Sequence, residues 1–248
     1  MASGPSGFFA AEQHAEHSHA PTPWLRLADL ADDPQPLLAR IAEVRQHLRG
    51  VACQEVELRV AASTVHLGLV ARLAAAGLAA AVSASGRLGP DDCWWQPGSR
   101  DPVPLSVASS RPADRASRPA DRASRPADRA SRPANGTSRP AALGWLESAA
   151  LVTDVVRRHT GTSRRVLWGN VASGINTAAV LLALHAPNDR EAIVRHLAAA
   201  TGDPRLAGEP GPYGSGFRRR SCCLAYRADL GYCGDCVLTH PARRTSTE

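Results

Sequence analysis

Apolar residues recur at helical spacing along much of this chain. Between residues 34 and 50, Leu38, Ile41, Val44 and Leu48 form one stripe, Arg40, Glu43 and Arg45 fall elsewhere, and Gly50 closes the pattern. That arrangement predicts an amphipathic helix with a glycine stop. Residues 60–82 predict a second, more apolar helix with Leu67, Val70, Leu73 and Leu78 in the core and a break or bend at Gly77. Helical spacing resumes at Leu143, where Trp145, Ala149, Val152 and Val156 share a face and Gly161 follows as a C-terminal stop. Residues 166–184 are apolar nearly all round and predict a central helix. Asn188, three residues before Glu191, gives a capping-box-like start to a short helix through Ala199. Residues 86–105, with two Trp and interleaved Pro and Gly, read as strand and turn. Beyond Gly202, Pro204, Pro210 and Pro212 forbid a long helix. The expected fold class is mainly α, an α+β arrangement with a minor sheet, in which a helical body carries an irregular C-terminal segment.

Neither of the two longest apolar runs is a clean membrane span, since a bilayer helix requires about 20 apolar residues. Residues 66–84 are interrupted by Arg72, and residues 166–184 carry Asn170 and Asn176. Both are therefore expected as buried helices, with no integral membrane segment. Residues 1–22, rich in Gly, Ser, Pro, Ala and His without periodicity, are expected to form a disordered leader whose His14, His17 and His19 are solvated. The heptad Ser-Arg-Pro-Ala-Asp-Arg-Ala repeats three times from Ser110 and decays towards Pro140. A proline in every copy and no large apolar residue exclude a coiled coil and predict a disordered insertion at 108–141. Such a loop is tolerated, since closure costs only about 0.6 kcal/mol per doubling of length. The domain organisation expected is a leader (1–22), a helical body (23–215) holding the insertion, and a C-terminal metal-binding segment (216–240).

Charge narrows the function classes. The formal net charge is +6, with no Lys among the 29 basic residues, but residues 110–140 alone hold eight Arg against three Asp. The body is nearly neutral and offers only Arg218, Arg219 and Arg220 as a basic run, which argues against nucleic-acid binding. No secretory leader pattern is evident, so a cytoplasmic location is expected.

Four of six cysteines fall within fifteen residues: Cys222-Cys223, nine intervening residues, then Cys233-Gly-Asp-Cys236. In a reducing compartment this clustering points to metal or redox chemistry rather than a structural disulfide. Cys-x-x-Cys lets two thiolates converge, with turn amides aimed at sulfur. A vicinal pair suits a single tetrahedral zinc poorly, whereas a 2Fe-2S cluster offers a wider target. Cys53 and Cys93, in apolar or aromatic surroundings, are expected as buried hydrophobes.

The run Arg219-Arg220-Ser221-Cys222-Cys223, followed by Tyr232-Cys233-Gly234-Asp235-Cys236, resembles the signature of the FhuF-like ferric siderophore reductases. Two upstream blocks, Arg59-Val60-Ala61-Ala62-Ser63 with His66-Leu67-Gly68 and Leu167-Trp168-Gly169-Asn170 with Ala172-Ser173, are similar to recurrent blocks of that family. The spacer between the cysteine pairs is one residue shorter than the family's usual one. The resemblance implies that Cys222, Cys223, Cys233 and Cys236 ligate one 2Fe-2S cluster and that the protein reduces ferric, hydroxamate-type siderophores by one electron. It also implies that Trp168 and Asn170 line a substrate pocket. Arg218, Arg219 and Arg220 are candidates for attracting an anionic chelate or tuning the cluster. No Gly-rich dinucleotide fingerprint is present, so an external electron donor such as a ferredoxin or a flavin reductase is expected. The competing expectation is a siderophore- or partner-binding module whose four cysteines hold a structural zinc.

Overall fold

Two long helices rich in small residues form the middle of the molecule. The computed structural model describes residues 6–15, 23–83, 88–98, 103–109, 143–209 and 213–239. In chain order these give α1 (Ser6–Phe9), β1 (Glu12–Ala15), β2 (Leu25–Arg26), α2 (Gln35–Ala52), α3 (Leu58–Val82), β3 (Cys93–Trp95), β4 (Leu105–Ser109), α4 (Gly144–Thr160), α5 (Arg164–His185) and α6 (Arg190–Thr201), with short 3-10 turns between. α3 is packed by α2, α4, α5 and α6, and its longest contact is with α5. Both helices are long and apolar enough to cross a membrane, yet most of each apolar stretch is buried inside this fold.

Small residues let α3 and α5 approach closely. A Cβ on Gly174 of α5 would sit 2.9 Å from the Ala71 Cα of α3, so the two backbones nearly touch. Gly77 does not break α3, contrary to expectation, and the helix continues through it to Val82. The reason is packing: a Cβ there would collide with the buried Trp145 ring of α4, so the missing side chain is a socket. Helix α4 ends as expected at Gly161, whose φ of +66° supplies the left-handed cap. At α6 the expected cap fails. Asn188 lies in a 3-10 turn, Pro187–Asp189, and Asp189 precedes the helix without a side-chain capping bond.

The minor sheet has the order β1-β4-β3-β2, with β1 parallel to β4 and the other pairs antiparallel. Residues 6–15 correct the disordered-leader expectation. β1 pairs with β4 from Glu12 opposite Ser106 to Ala15 opposite Ser109, and His14 Nδ1 lies 2.8 Å from Ser106 Oγ. Arg72, the interruption in the apolar run of α3, secures this segment: its guanidinium donates to the carbonyls of Phe8, Ala10 and Val103. A buried arginine is tolerated because those three main-chain acceptors replace water. The rest of the leader, His17 and His19, and insertion residues 110–142 lie outside the described residues.

Candidate metal centre

After α6 the chain turns through irregular structure and brings its last segment against the N-terminal half of α3. Ala228, in the 3-10 turn Ala225–Ala228, is fully buried. Arg227 pairs with Glu57 at 2.5 Å, and Gln54 Nε2 donates to Asp229 Oδ2 at 3.1 Å. The spacer between the cysteine pairs is thus fastened to the body. The 3-10 turn within it is flanked by left-handed residues, Leu224 at φ +70° and Asp229 at φ +54°, a conformation uncommon for non-glycine residues.

The Leu224 turn presents its own N–H to Cys222 Sγ at 3.3 Å, and in the second pair the N–H of Leu238 meets Cys236 Sγ at 3.4 Å. Cys223 and Cys233 lie with their sulfurs 3.6 Å apart, across the spacer. The contact with Cys233, helped by the Ala225 amide and Arg219 and opposed by burial, holds Cys223 down at about 6. The same contact, aided by burial, pushes Cys233 above the ordinary thiol range. Burial raises Cys222, partly offset by the Leu224 amide. Among the described residues, no three His, Cys, Asp or Glu side chains are gathered tightly enough for a metal ion, and Cys223 and Cys233 form a sulfur–sulfur contact. Cys223 and Cys236 are buried, while Cys222 and Cys233 are partly exposed, so the group lies at the surface of the body.

Around this segment runs a buried polar network that joins the two upstream sequence blocks. Ser63 on α3 donates its hydroxyl proton to the Cys223 carbonyl at 2.7 Å. Asn170 on α5 donates from Nδ2 to Ser63 O at 3.1 Å and Ser63 Oγ at 3.0 Å, and its Oδ1 accepts from Arg219 Nη2 at 2.5 Å. This orientation is forced, because a carbonyl only accepts and a guanidinium only donates. His66 lies between Asn170, 3.4 Å from Nδ1, and Thr153, 2.9 Å from Nε2. Thr153 gives its proton to Ala149 O, so His66 donates from Nε2 and accepts at Nδ1. Burial, aided by the Arg219 charge, lowers the His66 pKa to about 3, and the ring is neutral.

The three arginines separate. Arg219 is 1% exposed, and its main-chain N–H donates to Asp235 O inside the Cys-x-x-Cys turn at 3.1 Å. Arg220 is exposed and held through its backbone by Glu209 and Arg165. Arg218 lines a cavity of about 240 Å³ with Asn176, Gly214, Phe217, Gly234 and Asp235. Neither Trp168 nor Asn170 is among the residues that line that cavity. Trp168 is a core ring covered by the Arg205 guanidinium at 5.2 Å, and Asn170 is the centre of the polar network. Cys93 is buried, with its pKa pushed to about 12, but Cys53 is exposed at the end of α2, which corrects its assignment to the core. The sequence reading missed Ser63, His66 and Thr153 as parts of the centre's support. A histidine in an otherwise apolar helix was the available signal.

The residues suit an anionic, sulfur-ligated group. Four thiols are present, backbone amides face three of them (Cys222, Cys223 and Cys236), and Arg219 keeps two buried N–H donors, Nε and Nη1, without a protein partner. No curated protein and no solved structure matches the chain. Residues 219–238 match the family model of the FhuF 2Fe-2S C-terminal domain, a span that includes all four clustered cysteines. The C-terminal segment of this helical protein is thus similar to the FhuF 2Fe-2S C-terminal domain over residues 219–238.

Proposed function

We propose that the chain is a cytoplasmic ferric siderophore reductase, with Cys222, Cys223, Cys233 and Cys236 as the ligands of its 2Fe-2S cluster. The observation that carries this reading is a surface-placed set of four thiols in a segment of FhuF 2Fe-2S type. When bound, the cluster supplies one electron at a time. The substrate is a ferric chelate, hydroxamate-type by resemblance, whose hard oxygen donors favour Fe(III) over Fe(II). One electron converts the substrate iron to Fe(II), the chelate loosens and takes up protons from water, and an external one-electron donor restores the protein.

The chain's own residues supply access and mounting. The cavity beside Gly234 and Asp235 gives a chelate a place against the Cys-x-x-Cys turn. Tyr226, Leu230, Tyr232 and Leu238 stand exposed around the cysteines, half of the eight most exposed large hydrophobic residues described, and suit docking of the donor protein. Anaerobic purification followed by iron and sulfide analysis and EPR tests the cluster, and Cys222→Ser and Cys236→Ser are each expected to abolish the signal. Single-turnover oxidation of the dithionite-reduced protein by ferric tris(acetohydroxamate) tests the activity. Colourless, zinc-loaded protein would instead favour a binding module with a structural metal. A loaded cluster that the chelate fails to oxidise would remove the reductase reading alone.

A further inference from the structure

Of the three consecutive arginines, only Arg219 combines deep burial with donors that have no protein partner. We infer that Arg219 is the built-in counter-charge of the cluster, a positioning residue that makes reduction easier and takes no part in substrate binding. The inference rests on the 2Fe-2S reading above. The guanidinium is 1% exposed, which excludes contact with a chelate in solvent. Nη2 is fixed on Asn170 Oδ1, while Nε and Nη1 are buried without a partner. Among the described residues no ion pair to Arg219 is formed, and Glu209, on the Gly169 side of this space, gives Oε2 to the Arg220 amide.

Every other member of the network is neutral. Asn170 and Ser63 carry no charge, and His66, its pKa lowered to about 3 by burial, is neutral at ordinary pH. An isolated buried cation is costly unless an anion compensates it. A four-thiolate 2Fe-2S centre is anionic when oxidised and gains one more negative charge on reduction, so a fixed cation nearby favours the reduced form. Two bonds keep it there: the Arg219 main chain is tied to Asp235 O in one cysteine turn, and Asn170, which holds the side chain, shares Ser63 with Cys223 O in the other.

The test is an EPR-monitored redox titration of anaerobically prepared protein, with iron and sulfide measured in every sample. Arg219→Gln, which removes the charge but keeps an N–H donor, should lower the reduction equilibrium constant at least tenfold, about 59 mV for one electron. Arg219→Lys should restore most of the wild-type value. Asn170→Asp, which sets a carboxylate on the guanidinium, should lower the constant in the same direction. Arg220→Gln, an exposed control, should change it less than twofold. Loaded Arg219→Gln or Asn170→Asp protein with an unchanged potential overturns the inference, as does an equal shift in Arg220→Gln. So does failure of every Arg219 and Asn170 variant to load while Arg220→Gln loads, since the role would then be structural. Wild-type protein without iron and sulfide overturns the cluster reading itself, a distinct result.

Discussion

Ser63→Ala tests whether the body of the protein holds the cysteine segment in place. The Ser63 hydroxyl is fully buried, donates to Cys223 O at 2.7 Å and accepts from Asn170 Nδ2 at 3.0 Å. Removing it strands the Cys223 carbonyl, at a cost of about 1–3 kcal/mol for a buried acceptor. Asn170 loses less, because Nδ2 keeps Ser63 O at 3.1 Å. A net loss of roughly 2 kcal/mol lowers Tm by about 4–8 °C in a chain of this size. Ser148→Ala is the matched control: its buried hydroxyl donates to Leu88 O at 2.7 Å, on the α4 side of the body. Thermal unfolding of the metal-free proteins should show comparable losses in both variants. The rate at which a ferrous chelator bleaches the loaded proteins should rise several-fold in Ser63→Ala and stay at the wild-type value in Ser148→Ala. Equal bleaching rates would refute the mounting role, and a Ser63→Ala Tm within about 1 °C of wild type would refute the energetic argument.

Gly77→Ala puts a methyl group into the Trp145 ring and should cost about 1–3 kcal/mol or more by overpacking, read as a lower urea midpoint. Arg72→Met removes the donors to Phe8 O and Ala10 O, and limited proteolysis should then cut within residues 6–15 much faster than in the wild type. His66 is neutral when folded, with its pKa depressed from 6.5 to about 3, so the unfolded chain binds more protons across that window. Stability of the metal-free protein should therefore fall as pH drops from 6.5 towards 3, by up to about 1.4 kcal/mol per pH unit from this group. Urea midpoints across that range should show a shallower slope in His66→Gln.

The periodic stretches are legible because burial of one helix face writes itself into local spacing. Leu38, Ile41, Val44 and Leu48 place α2 to within two residues at its C-terminal end, and Ser63 and Asn170 fall within the family-like blocks. The cysteine chemistry is legible because ligand spacing is local as well. What escapes depends on partners far away in sequence. The strand at Glu12–Ala15 has no apolar alternation of its own and is held by β4 and by Arg72, more than sixty positions along from Phe8 and Ala10. Gly77 looks like a break until Trp145 fills the space beside it. Asn170 and Ser63, 107 positions apart, form a site only once α3 and α5 cross. Cys53 is misplaced because an apolar neighbourhood in sequence does not reveal a helix end facing solvent.

The close crossing at Gly174 and Ala71 reaches beyond packing. Where main chain meets main chain, the gap between two rods does not depend on the bulk of the groups projecting elsewhere from them. Gradual replacement of other core residues over evolutionary time would therefore leave Ser63 and Asn170 in register. A single added methyl at Gly174, by contrast, would act as a wedge whose displacement is felt at the sulfur-bearing end of the molecule.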